Sequence, residues 1–315
     1  MMISVLLVFY ILIGSIAFIA NLVVFIAICR SHELASRYRI ILAQISAAAI
    51  LALATLVAGI GRTIIISMNI TSLRSRRYCM LMPWNILFMW AEPMTAVVEL
   101  IVSTDRLLLI SFPVAYSIRP TFFQLAQIFI SHIAIGAAII VSWIASLCET
   151  EDICDPICWT SQSMLPFYQY FFTVVRVSTA LLSVILYFIA YVLTRRYMAH
   201  VIATKKSGRD AALQAFQRRQ AQLTVTMGIS CIVTLILYVI PICLLFLAEG
   251  SQMGPLGSFL TVLSVLTTNI NPIPNLVILV WRQTDIASAV KKLLNFGCFN
   301  TPKINIVLAV SQTTP

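Results

Sequence analysis

The chain has 315 residues; 60% are apolar and only 10% are charged, yet the formal net charge is +10. A soluble domain carries about 25% charged residues, so a soluble globular enzyme, a disordered chain and a fibrous protein are excluded. With a mean hydropathy of +0.97, the class that remains is an all-α membrane protein, and the question becomes where the few charges sit.

Seven continuous apolar stretches are long enough to cross a bilayer core, which takes roughly 20 helical residues. They run at about 3–29, 40–67, 83–110, 122–147, 166–193, 223–247 and 256–281. Lipid offers no partner to open backbone groups, so each must be a helix. A transmembrane barrel would show alternating segments of about 10 residues. The first stretch exceeds the roughly 7–15 apolar residues of a signal peptide, and Cys29-Arg30 is not a small-residue cleavage site, so a retained span is expected. The sequence thus predicts a seven-helix bundle in one domain, 1–294, with a cytoplasmic tail, 295–315. Ile286, Val290, Leu293 and Leu294 recur at helical spacing beside Lys291 and Lys292, which predicts an interfacial amphipathic helix near 285–294.

Charge sets the orientation. Sixteen of the 21 Lys and Arg residues fall in the loops and tail of one face, against four acids; Arg74, Arg76 and Arg77 fall on the other, and Arg62 and Arg176 lie in spans. Basic loops are retained inside during insertion, which predicts an outer N-terminus, a cytoplasmic C-terminus and a multi-pass protein of the plasma membrane. Two readings of the basic face stay open. It sets topology and attracts anionic membrane lipid, or it also docks a cytosolic partner. Nucleic acid is not an expected partner.

In chain order, Arg62 near the outer end of the second span is expected to snorkel. Asn69-Ile70-Thr71 is a glycosylation sequon on the outer side, at a distance from the span that leaves modification open. Glu92 and Glu99 are seven residues apart on the third span and share a face. Charges within spans are rare and usually face the interior, so Glu92 and Arg176 are candidates for one pocket, as a mutual pair or as ligand contacts; a purely structural ion pair is the alternative. The outer loop 148–158 carries only acids, which either select against anionic ligands or are merely solvated.

At the inner end of the third span stands Asp105-Arg106-Leu107, followed by Pro113 and Tyr116. An arginine at a helix C-terminus is favoured by the macrodipole, a neighbouring carboxylate holds it, and a released guanidinium fork can cap the carbonyls of an inserted partner helix. The seventh span carries Asn271-Pro272 and then Ile273, Pro274 and Asn275. The proline frees a carbonyl that asparagine can satisfy, which makes a hinge. Together these residues resemble the D-R-Y…P-x-x-Y and N-P-x-x-Y patterns of rhodopsin-like G-protein-coupled receptors, and most resemble the nematode serpentine chemoreceptors of the Srsx type.

The resemblance implies chemosensory signalling through a heterotrimeric G protein in a sensory neuron membrane or its cilium. The ligand is an unknown small molecule or peptide, and no cofactor is needed. It assigns Asn21 as the interhelical asparagine of the first span, where packing alone is the alternative, and Pro241 as the kink proline of the sixth. It implies a disulfide from Cys79 to Cys158 (or Cys154). Of the eight cysteines, Cys148 shares the oxidising face with these three, and Cys29, Cys231, Cys243 and Cys298 should be reduced; Cys298 is a palmitoylation candidate or a free thiol. The pattern also departs from the family. The toggle tryptophan is Val239, the tyrosine after Asn-Pro is Asn275, the sodium-binding acid falls on Ala49, and Ala221 stands where an ionic-lock acid would face Arg106.

Competing functions are weaker. No lysine lies in a span, so a retinal Schiff base is excluded. A membrane transporter or ligand-gated channel of small solutes is the alternative reading, but it predicts repeated halves or matching interrupted helices, and none is seen. With three histidines, no H-E-x-x-H pair and no phosphate-binding glycine loop, neither catalytic nor metal-ligating residues are assigned.

Overall fold

The computed structural model describes residues 2–112, 116, 118–149, 151–203, 225–226, 228–250 and 254–295. Its helices, in chain order, are α1 (Met2–Cys29), α2 (His32–Arg37), α3 (Arg39–Ser67), α4 (Arg76–Met80), α5 (Pro83–Ser111), α6 (Pro120–Leu147), α7 (Thr160–Ser163), α8 (Pro166–Ala203), α9 (Ile240–Gly250), α10 (Gly254–Ile270), α11 (Pro272–Arg282) and α12 (Thr284–Asn295). Seven segments have the length and apolar composition to cross a membrane: Ile3–Cys29, Arg39–Ser67, Pro83–Ser111, Pro120–Leu147, Pro166–Arg196, Gly228–Leu245 and Phe259–Arg282. The protein is a seven-helix membrane bundle.

Local chemistry sets the ends. Pro83 and Pro120 begin α5 and α6, and Pro272 begins α11, where a missing N–H costs nothing and the fixed φ already suits a helix. Ser31 caps α2 by accepting from the Leu34 N–H. The second span stops at Met68, and the next residue, Asn69, takes a left-handed φ of 52°, a region that asparagine tolerates. Asn69 is exposed in that turn.

The third span is the most buried of the seven and the fourth the least. The third packs on the second, fourth and fifth, so residues along it reach most of the interior. The first and second spans meet backbone to backbone. A Cβ on Gly14 would lie 2.6 Å from the Leu56 nitrogen, and one on Gly59 2.8 Å from Ile11 Cγ1. Small residues allow such contacts where no hydrophobic effect drives helices together. With the two ends named inner and outer after the orientation that the basic loops predict, the inner half of the core gathers Val24, Ile28, Ile41, Met94, Val98 and Leu276; the outer half gathers Tyr10, Trp84 and Phe88 around Cys79 and Cys158. Large apolar side chains such as Phe129, Ile133, Ile140 and Phe188 point outward, the arrangement lipid requires.

A short ribbon and a π-turn were not expected, whereas the break in the seventh span falls at the hinge that Asn271-Pro272 predicts. A two-stranded antiparallel ribbon, β1 (Arg74–Ser75) with β2 (Asp152–Cys154), pairs Arg74 with Cys154 and Ser75 with Asp152. The two strands are too short to leave a periodic signal. The seventh span is two helices, α10 and α11, divided at Asn271. The sixth contains a five-residue π-turn, Leu235–Val239. Pro241 cannot donate to the Leu237 carbonyl four residues back, and a wider turn just before it is the local adjustment that spans use around a proline.

On the inner face, α12 lies against the bundle. Ile286 is fully buried and Val290 packs on the core, while Lys291 and Lys292 are exposed. Asp285 accepts from Arg37 at 3.4 Å.

Candidate functional site

The outer half of the bundle holds a cavity of about 240 Å³ lined by the third, fifth, sixth and seventh spans, with Tyr10 of the first and Arg62 of the second. Two residues picked from sequence meet there. Arg176 donates from Nη1 to the Glu92 carboxylate and from Nε to the Tyr238 hydroxyl at 2.8 Å. The guanidinium also lies over the Tyr238 ring, 5.5 Å from its centroid. One cation thus ties the third, fifth and sixth spans, and Tyr238 belongs to the π-turn that precedes Pro241.

The lid over this cavity is the segment after β2. A disulfide joins Cys79 to Cys158. Cys158 has a φ of 52°, a strained conformation for a residue with a side chain. Its carbonyl is over-determined: it accepts from Trp84 Nε1 at 3.2 Å, from Asn85 Nδ2 at 3.2 Å and from Arg62 Nη2 at 3.4 Å. Asn85 also accepts from the Thr160 hydroxyl at 2.7 Å, which binds α7 to the third span. Cys154 is buried and free, and Cys148 is exposed and free.

Arg62 corrects an expectation. It does not snorkel; it is 1% exposed. Its guanidinium sits 4.3 Å from the Trp159 ring centroid, with Tyr10 at 5.8 Å and Trp84 at 6.0 Å. Snorkelling assumes a lipid-facing position, whereas the lid and three aromatic faces enclose this one. The aromatic residues were visible in the sequence, but nothing in their spacing showed that they converge.

At the inner end of the third span, Asp105 is buried and forms an ion pair with Arg106 at 3.7 Å. It also accepts from the Tyr116 hydroxyl, which in turn accepts from Gln124 Nε2 at 3.1 Å. Tyr116 stacks on Phe123. Burial, and then the nearby Asp105 carboxylate, holds the Tyr116 phenol well above its ordinary range, so it remains a donor. Arg106 is therefore held beside a carboxylate that a second span fixes.

The chain matches the family model described as serpentine type 7TM GPCR chemoreceptor Srsx over residues 14–294. The chain belongs to this family. No curated protein matches it. As an Srsx receptor it is a multi-pass membrane protein of a chemoreceptor family, and family members in general act through a ligand and a G protein.

Where this Srsx receptor departs from the wider superfamily pattern, the structure shows what stands instead. Asn275 replaces the tyrosine after Asn271-Pro272. It accepts from the Ser230 hydroxyl at 2.6 Å and donates to Thr234 Oγ1 at 3.1 Å, joining the sixth and seventh spans. Thr234 donates to Glu99 at 3.0 Å and lies 3.4 Å from Asn271 Oδ1. Asn275, Ser230, Glu99 and Asn271 line a second, smaller cavity of about 50 Å³, which Asn21 also reaches. Asn21 donates to the Ala17 carbonyl of its own helix at 2.8 Å.

Four expectations, Pro113, Ala221, Cys298 and the tail beyond residue 295, lie outside the described residues. Sequence reasoning missed Tyr238, Ser230 and Thr234. A lone tyrosine, serine or threonine in an apolar run has no pattern to mark it, because such residues bond their own helix as often as a neighbour.

Proposed function

We propose that the protein is a chemosensory G-protein-coupled receptor of the plasma membrane, N-terminus outside. Its ligand enters the outer cavity, and its inner face around Arg106 receives a heterotrimeric G protein. The observation that carries this reading is the tie from Glu92 through Arg176 to Tyr238. A ligand that competes for any of the three groups changes the energy of one arrangement of the spans relative to another, which is all that a population shift needs. Tyr238 lies in the π-turn, so the change is delivered beside Pro241, where the sixth span bends most easily. The inner half of the sixth span then swings away, the hinge at Asn271-Pro272 follows, and Arg106 parts from Asp105 to meet the partner helix. Pro113 and Tyr116 belong to the same coupling motif, and Tyr116 bonds Asp105 beside this opening. The basic inner face, with Lys291 and Lys292 on α12, attracts anionic lipid, and the tail 295–315 extends into the cytoplasm. Asn69 and Cys298 are the candidate glycosylation and palmitoylation sites.

The test is a ligand screen in cells carrying a promiscuous G protein, repeated with Arg106→Ala. Surface expression should be kept and coupling lost. Coupling that persists in the variant would overturn the mechanism.

A further inference from the structure

The charges lining the outer cavity do not balance. Two guanidiniums, Arg62 and Arg176, face one carboxylate, Glu92, and Glu92 is already in contact with Arg176. Among the described residues, no carboxylate forms an ion pair with Arg62. Its Nε and Nη2 donate to the carbonyls of Ile157 and Cys158, its side chain also hydrogen-bonds the Tyr10 hydroxyl, and it shares the Glu92 charge at longer range with Arg176. Two buried cations that share one anion leave a net positive charge whose desolvation costs several kcal/mol, and carbonyl dipoles, the Tyr10 hydroxyl and ring faces offset only part of it. The rest is available to any ligand that brings the missing negative charge.

The shape restricts that ligand further. The cavity is smaller than the roughly 300–1,000 Å³ of sites for drug-sized molecules. Its walls are mixed: Phe88, Met89, Met164, Phe172, Ile242 and Leu245 give an apolar part, and uncharged polar residues such as Gln169, Thr173 and Asn269 line the remainder. The exposed acids of the outer loop, Glu151, Asp152 and Asp155, do not forbid an anion. Arg74 pairs with Cys154 across the ribbon and so sits among them, and solvent charges are screened over about 8 Å at physiological salt.

We propose that the outer cavity binds a small amphipathic carboxylate, with Arg62 holding the carboxylate and the apolar wall receiving an aliphatic or aromatic body. This rests on the cavity being the receptor's ligand site and adds the chemical class of the ligand. Arg62 suits the task because its planar fork matches a carboxylate and its aromatic cage fixes its direction.

The experiment measures direct binding to purified full-length receptor in nanodiscs, without any G protein. The probes are 4-phenylbutyrate, 4-phenylbutanol and 4-phenylbutylamine, which share a body and differ in head group. The carboxylate should bind tightest of the three. Arg62→Gln should weaken it roughly ten- to a hundredfold, the worth of hydrogen bonds to a charged group, and leave the alcohol nearly unchanged. Arg62→Lys should fall between. Glu92→Gln, which removes the one negative lining charge, should tighten the carboxylate, so a receptor whose lid loosens with Arg62→Gln still yields a test of opposite sign. Tighter binding of the amine or alcohol, binding of none of the three, or a carboxylate affinity indifferent to both Arg62→Gln and Glu92→Gln would overturn the proposal. The receptor reading is tested separately by coupling and Arg106→Ala, so a ligand of another class that signals would leave it intact while this inference fails.

Discussion

Arg176 bonds both Glu92 on the third span and the Tyr238 hydroxyl on the sixth. Both side chains of the ion pair are mostly buried, 16% and 26% exposed. Removing one partner leaves the other charge uncompensated, which costs about 3–5 kcal/mol for a buried pair. Glu92→Ala and Arg176→Ala should therefore each lower the thermal midpoint of the purified receptor sharply, while the Glu92→Ala/Arg176→Ala double variant should lose less than the two single losses combined. Charge reversal of both residues together should restore part of the stability. A thermal unfolding series decides this: strictly additive losses with no recovery on double reversal would show that the two charges act independently.

The seven spans were legible in the sequence because lipid enforces a simple rule, and apolar length alone records it. The Glu92–Arg176 pair was legible for a related reason. Charges are so costly in a bilayer that two on neighbouring spans at similar depth invite pairing. Arg62 was not legible. Its depth fits a snorkelling residue equally well, and its burial depends on a lid segment about a hundred residues later in the chain. The break between α10 and α11 was announced by Pro272, but the network that replaces the missing tyrosine depends on Ser230 and Thr234 of the sixth span, which have no signature of their own.

The inner end of the third span gives the second expectation. Tyr116 donates to buried Asp105 and receives a hydrogen bond from Gln124. Tyr116→Phe keeps the ring stacked on Phe123 and deletes only the hydroxyl. Asp105 then loses its partner from another segment, at a cost of about 1–3 kcal/mol, and Arg106 is held less firmly beside it. Basal coupling in cells should rise above that of the unmodified receptor at equal surface expression. The Arg106→Ala change placed on top should abolish the gain. Unchanged basal coupling in Tyr116→Phe would mean that the hydroxyl does not restrain Arg106.

The two free outer cysteines should react very differently. Cys148 is exposed, and Cys154 is buried. Burial pushes the Cys154 thiol up, only partly opposed by Arg76, and the thiolate is the reactive form. In the native receptor an alkylating reagent should modify Cys148 first, and modification of Cys154 should keep rising with pH beyond the ordinary thiol range near 8.5. The sign for stability follows from the same shift. The fold holds the protonated thiol, so its contribution is complete below the ordinary thiol pKa and declines as pH rises through the raised value. Mass spectrometry of alkylated peptides at several pH values reads both residues at once, and equal rates would show that the lid is open.

Asn275 supplies the last expectation, because a tyrosine there would restore the wider pattern of these receptors and yet should do harm. The amide accepts from Ser230 at 2.6 Å and donates to Thr234 at 3.1 Å beside a cavity of only about 50 Å³. A tyrosine ring is much larger than the amide it would replace, and forcing extra volume into a packed core costs about 1–3 kcal/mol. It would also strip Ser230 and Thr234 of their shared partner. Asn275→Asp has the right shape and keeps the acceptor for Ser230, but it loses the amide donor to Thr234 and places a second carboxylate near Glu99. Asn275→Ala avoids crowding and loses both hydrogen bonds. All three should lower the thermal midpoint, with the tyrosine the worst of them if space decides and the alanine close to it if the hydrogen bonds decide. A tyrosine variant as stable as the unmodified receptor would show that the sixth and seventh spans can part far enough to admit the ring, and that the Asn275 bridge is not what holds them.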